Sequence, residues 1–204
     1  MVMGKYIIVE DEAKALAQMY VLLKKTNHDK EFLLVKCDYN HNCAEDEVDN
    51  YHKKEIQEFI KEEINRNSKL GFDNSIIQKD MEHIIVIKTK EELLQINSRD
   101  NVAKEDILIL DITLFEREEG QNDDSFANYA SVRYADALVE QKKISAERVR
   151  FYTKFSITTD SVTFNKDTKG KWYVPVLRPR NFSLPGSEEE NKIFVRRLLR
   201  GEGV

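Results

Sequence analysis

The chain has 204 residues, 41% of them hydrophobic and 34% charged, with a net charge of −5; this suits one large domain, or one domain with an insertion, with the surplus charge on solvated helices. Acids and bases are mixed along the chain, and no basic run interleaved with aromatics marks a nucleic-acid surface. Only 7 Gly and 3 Pro argue against long disordered linkers, and two cysteines, Cys37 and Cys43, are too few for a disulfide framework.

The N-terminus MVMGKYIIVEDE holds an apolar run too short for a signal peptide. No stretch approaches a membrane span, so a soluble cytoplasmic protein is expected. KYIIV (5–9) reads as a buried strand and runs out into Glu10, Asp11 and Glu12. Residues 12–26 carry Ala13, Leu16, Ala17, Tyr20 and Leu23 at helical spacing, and Met19 and Tyr20 read as core residues. EFLLVK (31–36) reads as a short strand. A charged helix follows from 44 to 67, with Val48, Tyr51, Ile56, Phe59, Ile60 and Ile64 on roughly one face. That stripe packs on the domain's own surface or, alternatively, forms a homodimer or partner contact; Leu70-Gly71 ends the helix.

IIVIK (84–88) is the next strand, followed by a short helix over 90–97 and a strand over 106–111 that ends in Asp111. Residues 115–124 form a polar loop, and 125–142 an amphipathic helix through Phe126, Tyr129, Val132, Ala135 and Leu138. RVRFYT (148–153) is a strand and 156–171 is mostly loop. WYVPVLRP (172–179) is a strand whose internal proline suits an edge. The last helix, 187–200, opens on SEEE, acids suited to a helix N-terminus.

Alternating strands and helices predict an α/β fold: a doubly wound parallel sheet with helices on both faces. Residues 28–83 interrupt the rhythm and read as a mainly helical insertion within a single domain spanning 1–204.

In such a sheet the ligand site lies beyond the carboxyl ends of the strands. Glu10, Asp11 and Asp111 would meet there, each after a clean apolar run. Three clustered carboxylates repel one another until raised pKa values or a cation relieves them. A small set of oxygen ligands suits Mg²⁺, which keeps several waters.

These features resemble the receiver domain of two-component response regulators, over residues 4–27 and about 84–200. IIVEDE resembles that family's first strand, which ends in an acidic pair that holds Mg²⁺. LILDITLF resembles its third, whose terminal aspartate accepts a phosphoryl group; Asp111 takes that place. RVRFYTKFS resembles the fourth, ending in a Thr or Ser that contacts the phosphoryl group, here Thr153. VPVLRPRNF resembles the fifth, with Arg178-Pro179 where the family has lysine and proline. The resemblance implies a five-stranded, flavodoxin-like sheet in the order 2-1-3-4-5. It implies Mg²⁺ held at Glu10, Asp11, Asp111 and Thr113, with Asp111, Thr153 and Arg178 as the reacting and phosphoryl-contacting residues. It further implies a histidine kinase or phosphotransfer protein as donor and a downstream protein as target.

The departures are specific. Phe115 stands where the family usually has proline, Glu10 is longer than the commoner aspartate, and Arg178 presents a planar fork in place of a compact ammonium. An alternative is therefore a receiver-shaped interaction module without the chemistry. In either case the chain is not a turnover enzyme; at most it accepts a phosphoryl group and slowly hydrolyses its own aspartyl phosphate. A phosphohydrolase of the haloacid dehalogenase type is disfavoured, because it needs a second aspartate at the place of Thr113.

Two weaker motifs share one stretch. Cys37, His41 and Cys43 lack an obvious fourth zinc ligand, although His28 or His52 can be proposed. Asp38, Asn40, Asn42 and Asp49 imitate a calcium loop, but Cys43 stands where glycine is required.

Overall fold

The computed structural model describes residues 4–27, 29–38, 45–66, 74–96, 102–112, 114, 129–153, 164–165, 168–173, 175–177 and 187–200. Its strands are β1 (Tyr6–Glu10), β2 (Phe32–Cys37), β3 (Ile84–Ile87), β4 (Ile107–Asp111), β5 (Val149–Thr153) and β6 (Val176–Leu177). Its helices are α1 (Ala13–Thr26), α2 (Glu45–Arg66), α3 (Asn74–Glu82), α4 (Lys90–Gln95), α5 (Ala130–Glu140) and α6 (Glu188–Arg200). The strands form one sheet in the order β3-β2-β1-β4-β5-β6, and every pairing is parallel.

The α/β, doubly wound architecture matches the expectation, but the strand count and order are corrected. The sheet has six strands, not five in the order 2-1-3-4-5, because FLLVKC from the 28–83 segment lies beside β1. It pairs there along its whole length, from Tyr6 against Phe32 to Glu10 against Lys36. All six of its residues are buried, as a central parallel strand covered on both faces requires. β3 then takes the outer position beside β2. The segment also supplies α2 and α3, and the second of these helices carries no expectation from the sequence.

Alternation along the strands sends side chains to two apolar layers. Tyr6 and Ile8 pack with Leu16, Met19 and Tyr20 of α1, Ile56 and Ile60 of α2, and Phe194, Val195 and Leu198 of α6. Ile7 and Val9 pack with Leu93 of α4 and with Val132, Tyr134, Ala135 and Leu138 of α5 on the opposite face. Ile56, Phe59, Ile60 and Ile64 of the α2 stripe thus lie on the protein's own core, and the Val48 side chain lies outside the described residues. Tyr51 does not share that face and is 61% exposed. No helix among the described residues is long and apolar enough to cross a membrane.

Two buried polar groups fix the amino end of the sheet. Asp106 accepts from the backbone N–H groups of Lys5 (2.9 Å) and Ala103 (2.8 Å), and the N–H of Ile107 donates to the Lys5 carbonyl. This sets β1 against β4. Asp80 at the end of α3 pairs with Lys24 of α1 (2.8 Å), and its Oδ2 also accepts from the Tyr20 hydroxyl (2.9 Å). Lys24 donates in addition to the Lys30 carbonyl (2.7 Å) and lies over the Phe32 ring. Both charges are almost wholly buried, so removing one leaves the other without compensation in a low dielectric. Asp80→Ala is expected to cost about 3–5 kcal/mol in denaturant unfolding. Lys24→Met with Asp80→Leu is expected to cost less than Asp80→Ala alone. A double variant at least as unstable as the single would contradict this account of the pair.

Candidate functional site

The chain runs outward from β1 through β2 to β3, then returns to the other side of β1 for β4, β5 and β6. The order reverses between β1 and β4, and a crevice at the carboxyl ends of such a pair is where open α/β sheets take ligands. Val9 is in register with Leu110, so the next residues, Glu10 and Asp111, stand side by side on the face covered by α1 and α6. Asp111 is in register with Tyr152 of β5. The period of two that directs Ile8 and Ile109 into the core therefore brings two carboxylates and a phenol together one residue pair higher.

Ligand atoms of Glu10, Asp11 and Asp111 all lie within 4.8 Å of one another. Glu10 and Asp111 are each 1% exposed, and the Asp11 side chain opens to solvent. Glu10 Oε1 accepts from the backbone N–H groups of Asp11 (3.0 Å) and Glu12 (3.1 Å), and Oε2 accepts from the Tyr152 hydroxyl (2.6 Å). The amide bonds form at the entry to α1, where Glu12 makes no side-chain cap of its own. Burial, first, and the neighbouring Asp111 carboxylate, second, push the Glu10 pKa well above the ordinary 4.5; Asp11 adds to the rise and the Tyr152 bond opposes it.

The donor set is oxygen only, converges from two strands, and opens to water on the Asp11 side. It fits a hard, hydrated cation of the Mg²⁺ type. A cation there would neutralise the repulsion that raises Glu10.

Of the site residues expected from sequence, Glu10, Asp11 and Asp111 come together. Thr153 closes β5 at the same end of the sheet and is buried, but Tyr152 is the β5 residue in register with Asp111 and reaches the cluster. Thr113 and Arg178 lie outside the described residues. Among the weaker motifs, Cys37 points into the α4/α5 layer while His52 rides on α2. The His52 ring nitrogens face Asp38 (2.5 Å) and Glu55 (3.3 Å). Asp49 pairs with Lys88 at 3.3 Å. His28, Asn40, His41, Asn42 and Cys43 lie outside the described residues.

Two residues of the site carry no expectation from sequence. Tyr152 is one, and nothing in RVRFYT separates it from an ordinary core aromatic. Lys36 is the other: in register with Glu10 and only 5% exposed, it donates from Nζ to the Cys37 carbonyl at 2.7 Å. Its signal was present, since a charged residue that closes a buried apolar strand is the pattern that marks Glu10 and Asp111.

No protein-family model matches the chain, and no curated protein matches it. Among solved structures, the crystal structure of glucose-6-phosphate 1-dehydrogenase from Mycobacterium avium is similar at 11% identity and a TM-score of 0.43. The match covers 82% of this chain and 33% of that one, so the chain spans about a third of that protein's length. A likeness at this level carries no argument about function.

The raised Glu10 pKa has a stability consequence in the cation-free protein. The folded state holds a proton that the unfolded chain releases above the ordinary value of 4.5. Stability therefore falls as pH rises from that value through the folded-state pKa of Glu10. Glu10→Gln removes this term, and its melting temperature relative to wild type is expected to rise with pH across the window. Parallel melting curves at all pH values would contradict the assignment.

Proposed function

We propose that the protein is a receiver-like signalling module that accepts a phosphoryl group on Asp111 in a Mg²⁺-dependent transfer. The observation that carries this reading is the convergence of Glu10, Asp11 and Asp111 within 4.8 Å at the switch point of a parallel sheet. A bound Mg²⁺ supplies charge neutralisation between the carboxylates and the incoming phosphoryl oxygens. The chain's own residues do the rest. An Asp111 carboxylate oxygen attacks phosphorus, and a new P–O bond forms as the bond from phosphorus to the donor breaks. The electron pair leaves with the donor, a phosphohistidine imidazole or an acyl phosphate carboxylate. Glu10, held by two amides and a phenol, keeps its place without reorganising. Asp11 faces the solvent side, from which the donor arrives. Thr153 and Arg178 take the phosphoryl-contacting roles that the resemblance gives them.

The donor in this proposal is a histidine kinase or phosphotransfer protein, the target a downstream protein, and the location the cytoplasm. A second reading, a receiver-shaped interaction module without phosphoacceptance, is favoured by one observation: Tyr152, not Thr153, is in register with Asp111.

The test is incubation with acetyl phosphate, with and without Mg²⁺, read by intact mass. A single phosphoryl adduct that needs Mg²⁺ and is lost in Asp111→Asn is expected. Quenching of the lone Trp172, buried against Phe151 at 5.8 Å, would report the same event. Mg²⁺ binding without an adduct would favour the second reading, and an adduct retained by Asp111→Asn would overturn the first.

A further inference from the structure

Lys36 ends the apolar run of β2 on the sheet face that also carries Glu10 and Asp111. Phe32 and Leu34, two and four residues before it, lie in the layer under α1, α2 and α6, and Lys36 itself is in register with Glu10. Only 5% of it is exposed. An ammonium has three donors and no acceptor. Among the described residues this one has a single acceptor, the Cys37 carbonyl at 2.7 Å, and makes no ion pair. A cation withdrawn from water without a counter-charge is costly.

The backbone shows where the ammonium is held. The N–H groups of Leu34 and Asp38 donate to the His83 and Ile87 carbonyls on the β3 side, whereas the Glu31 carbonyl accepts from Tyr6 of β1. Successive residues of a parallel strand address its two neighbours in turn. Cys37, in step with Glu31, therefore directs its carbonyl toward β1. It lies one residue beyond the partner of Glu10, so the ammonium sits over the end of β1, where the chain turns into α1. The side chain is drawn toward the acids and away from the outer strand.

Lys36, Glu10 and Asp111 thus form one row across β2, β1 and β4. Neighbouring strands are about 4.8 Å apart, so the Cα atoms of Lys36 and Asp111 are about 10 Å apart. A four-carbon stem on one side and a phosphoryl group carried by the carboxylate on the other together span that gap. A phosphoryl group offers what the ammonium lacks, compact acceptors of opposite charge. We propose that Lys36 is a phosphoryl-binding residue whose ammonium donates to a phosphoryl oxygen as Asp111 accepts the group. The role rests on the reading of Asp111 as the phosphoacceptor, and it adds a cation from β2. The bonds made and broken remain those at phosphorus; Lys36 donates hydrogen bonds and gives up no proton.

Lys36→Met keeps the length of the side chain and removes its charge. Two quantities are measured on the full chain: the rate of adduct formation from acetyl phosphate at saturating Mg²⁺, by intact mass, and the Mg²⁺ affinity, by calorimetry. Loss of one donor to a reacting oxyanion costs about 100–1,000-fold, and a fall in rate of about a hundredfold is expected. Mg²⁺ affinity is expected to rise several-fold, because a positive neighbour of the acids has gone. A general loosening of the site would lower both quantities. A joint fall, or a rate equal to wild type, would therefore overturn the role of Lys36. Wild type that forms no adduct would overturn the phosphoacceptor reading itself.

A measurement on the unaltered chain guards against a variant that fails to fold. In crystals grown with Mg²⁺ and beryllofluoride, the Lys36 ammonium is expected within hydrogen-bond distance of a fluorine on the Asp111 adduct. An adduct with the ammonium still turned to the Cys37 carbonyl alone would overturn the proposal.

Discussion

Two carboxylates from neighbouring strands, Glu10 and Asp111, are withdrawn from water side by side. Burying one ionised carboxylate costs several kcal/mol after relaxation, and a like charge beside it adds to that cost. The local structure is arranged around this cost. The turn into α1 directs two amides at one oxygen of Glu10, and Tyr152 crosses β4 to reach the other. The opposite end of the sheet contributes as well. Asp106 ties Lys5 and Ala103 together, and with the Ile107 bond to Lys5 it fixes the register of β1 against β4. A slip of one residue would turn either carboxylate to the other face and separate the pair.

The buried ion pair and the carboxylate cluster lie at opposite ends of the strand axis. The amino end carries the buried Lys24–Asp80 pair with Tyr20, which locks α1, α3 and the start of β2 together. The carboxyl end carries the clustered acids Glu10, Asp11 and Asp111. Between them lie apolar layers on both faces of the sheet, which exclude water and keep the carboxylates in a low dielectric. Under the proposed function, a bound cation and an incoming phosphoryl group would interact most strongly with fixed charges here.

Most of the fold was legible because its strands are short apolar runs with clear ends and its helices carry one-sided stripes. The place of FLLVKC was not. Its composition says buried parallel strand, but pairing partners are a property of the whole sheet, and the long helical stretch after it suggested an insertion. The helix over Asn74–Glu82 was missed because NSIIQKDME is short and mixed. In the site, acids at the ends of two apolar strands identified Glu10, Asp11 and Asp111. Tyr152 could not be seen this way, because its role depends on the register of β5 with β4 and on a contact across 142 residues of chain. Lys36 could have been seen, by the rule that singled out the acids.

The most direct test of the central claim is a crystal structure of the full chain grown with Mg²⁺ and beryllofluoride, a mimic of the phosphoryl group. The expected result is beryllofluoride bonded to an Asp111 carboxylate oxygen, with one Mg²⁺ between it and the Asp11 and Glu10 carboxylates. Crystals that show Asp111 unmodified and no cation among the three carboxylates, at saturating concentrations of both, would contradict it.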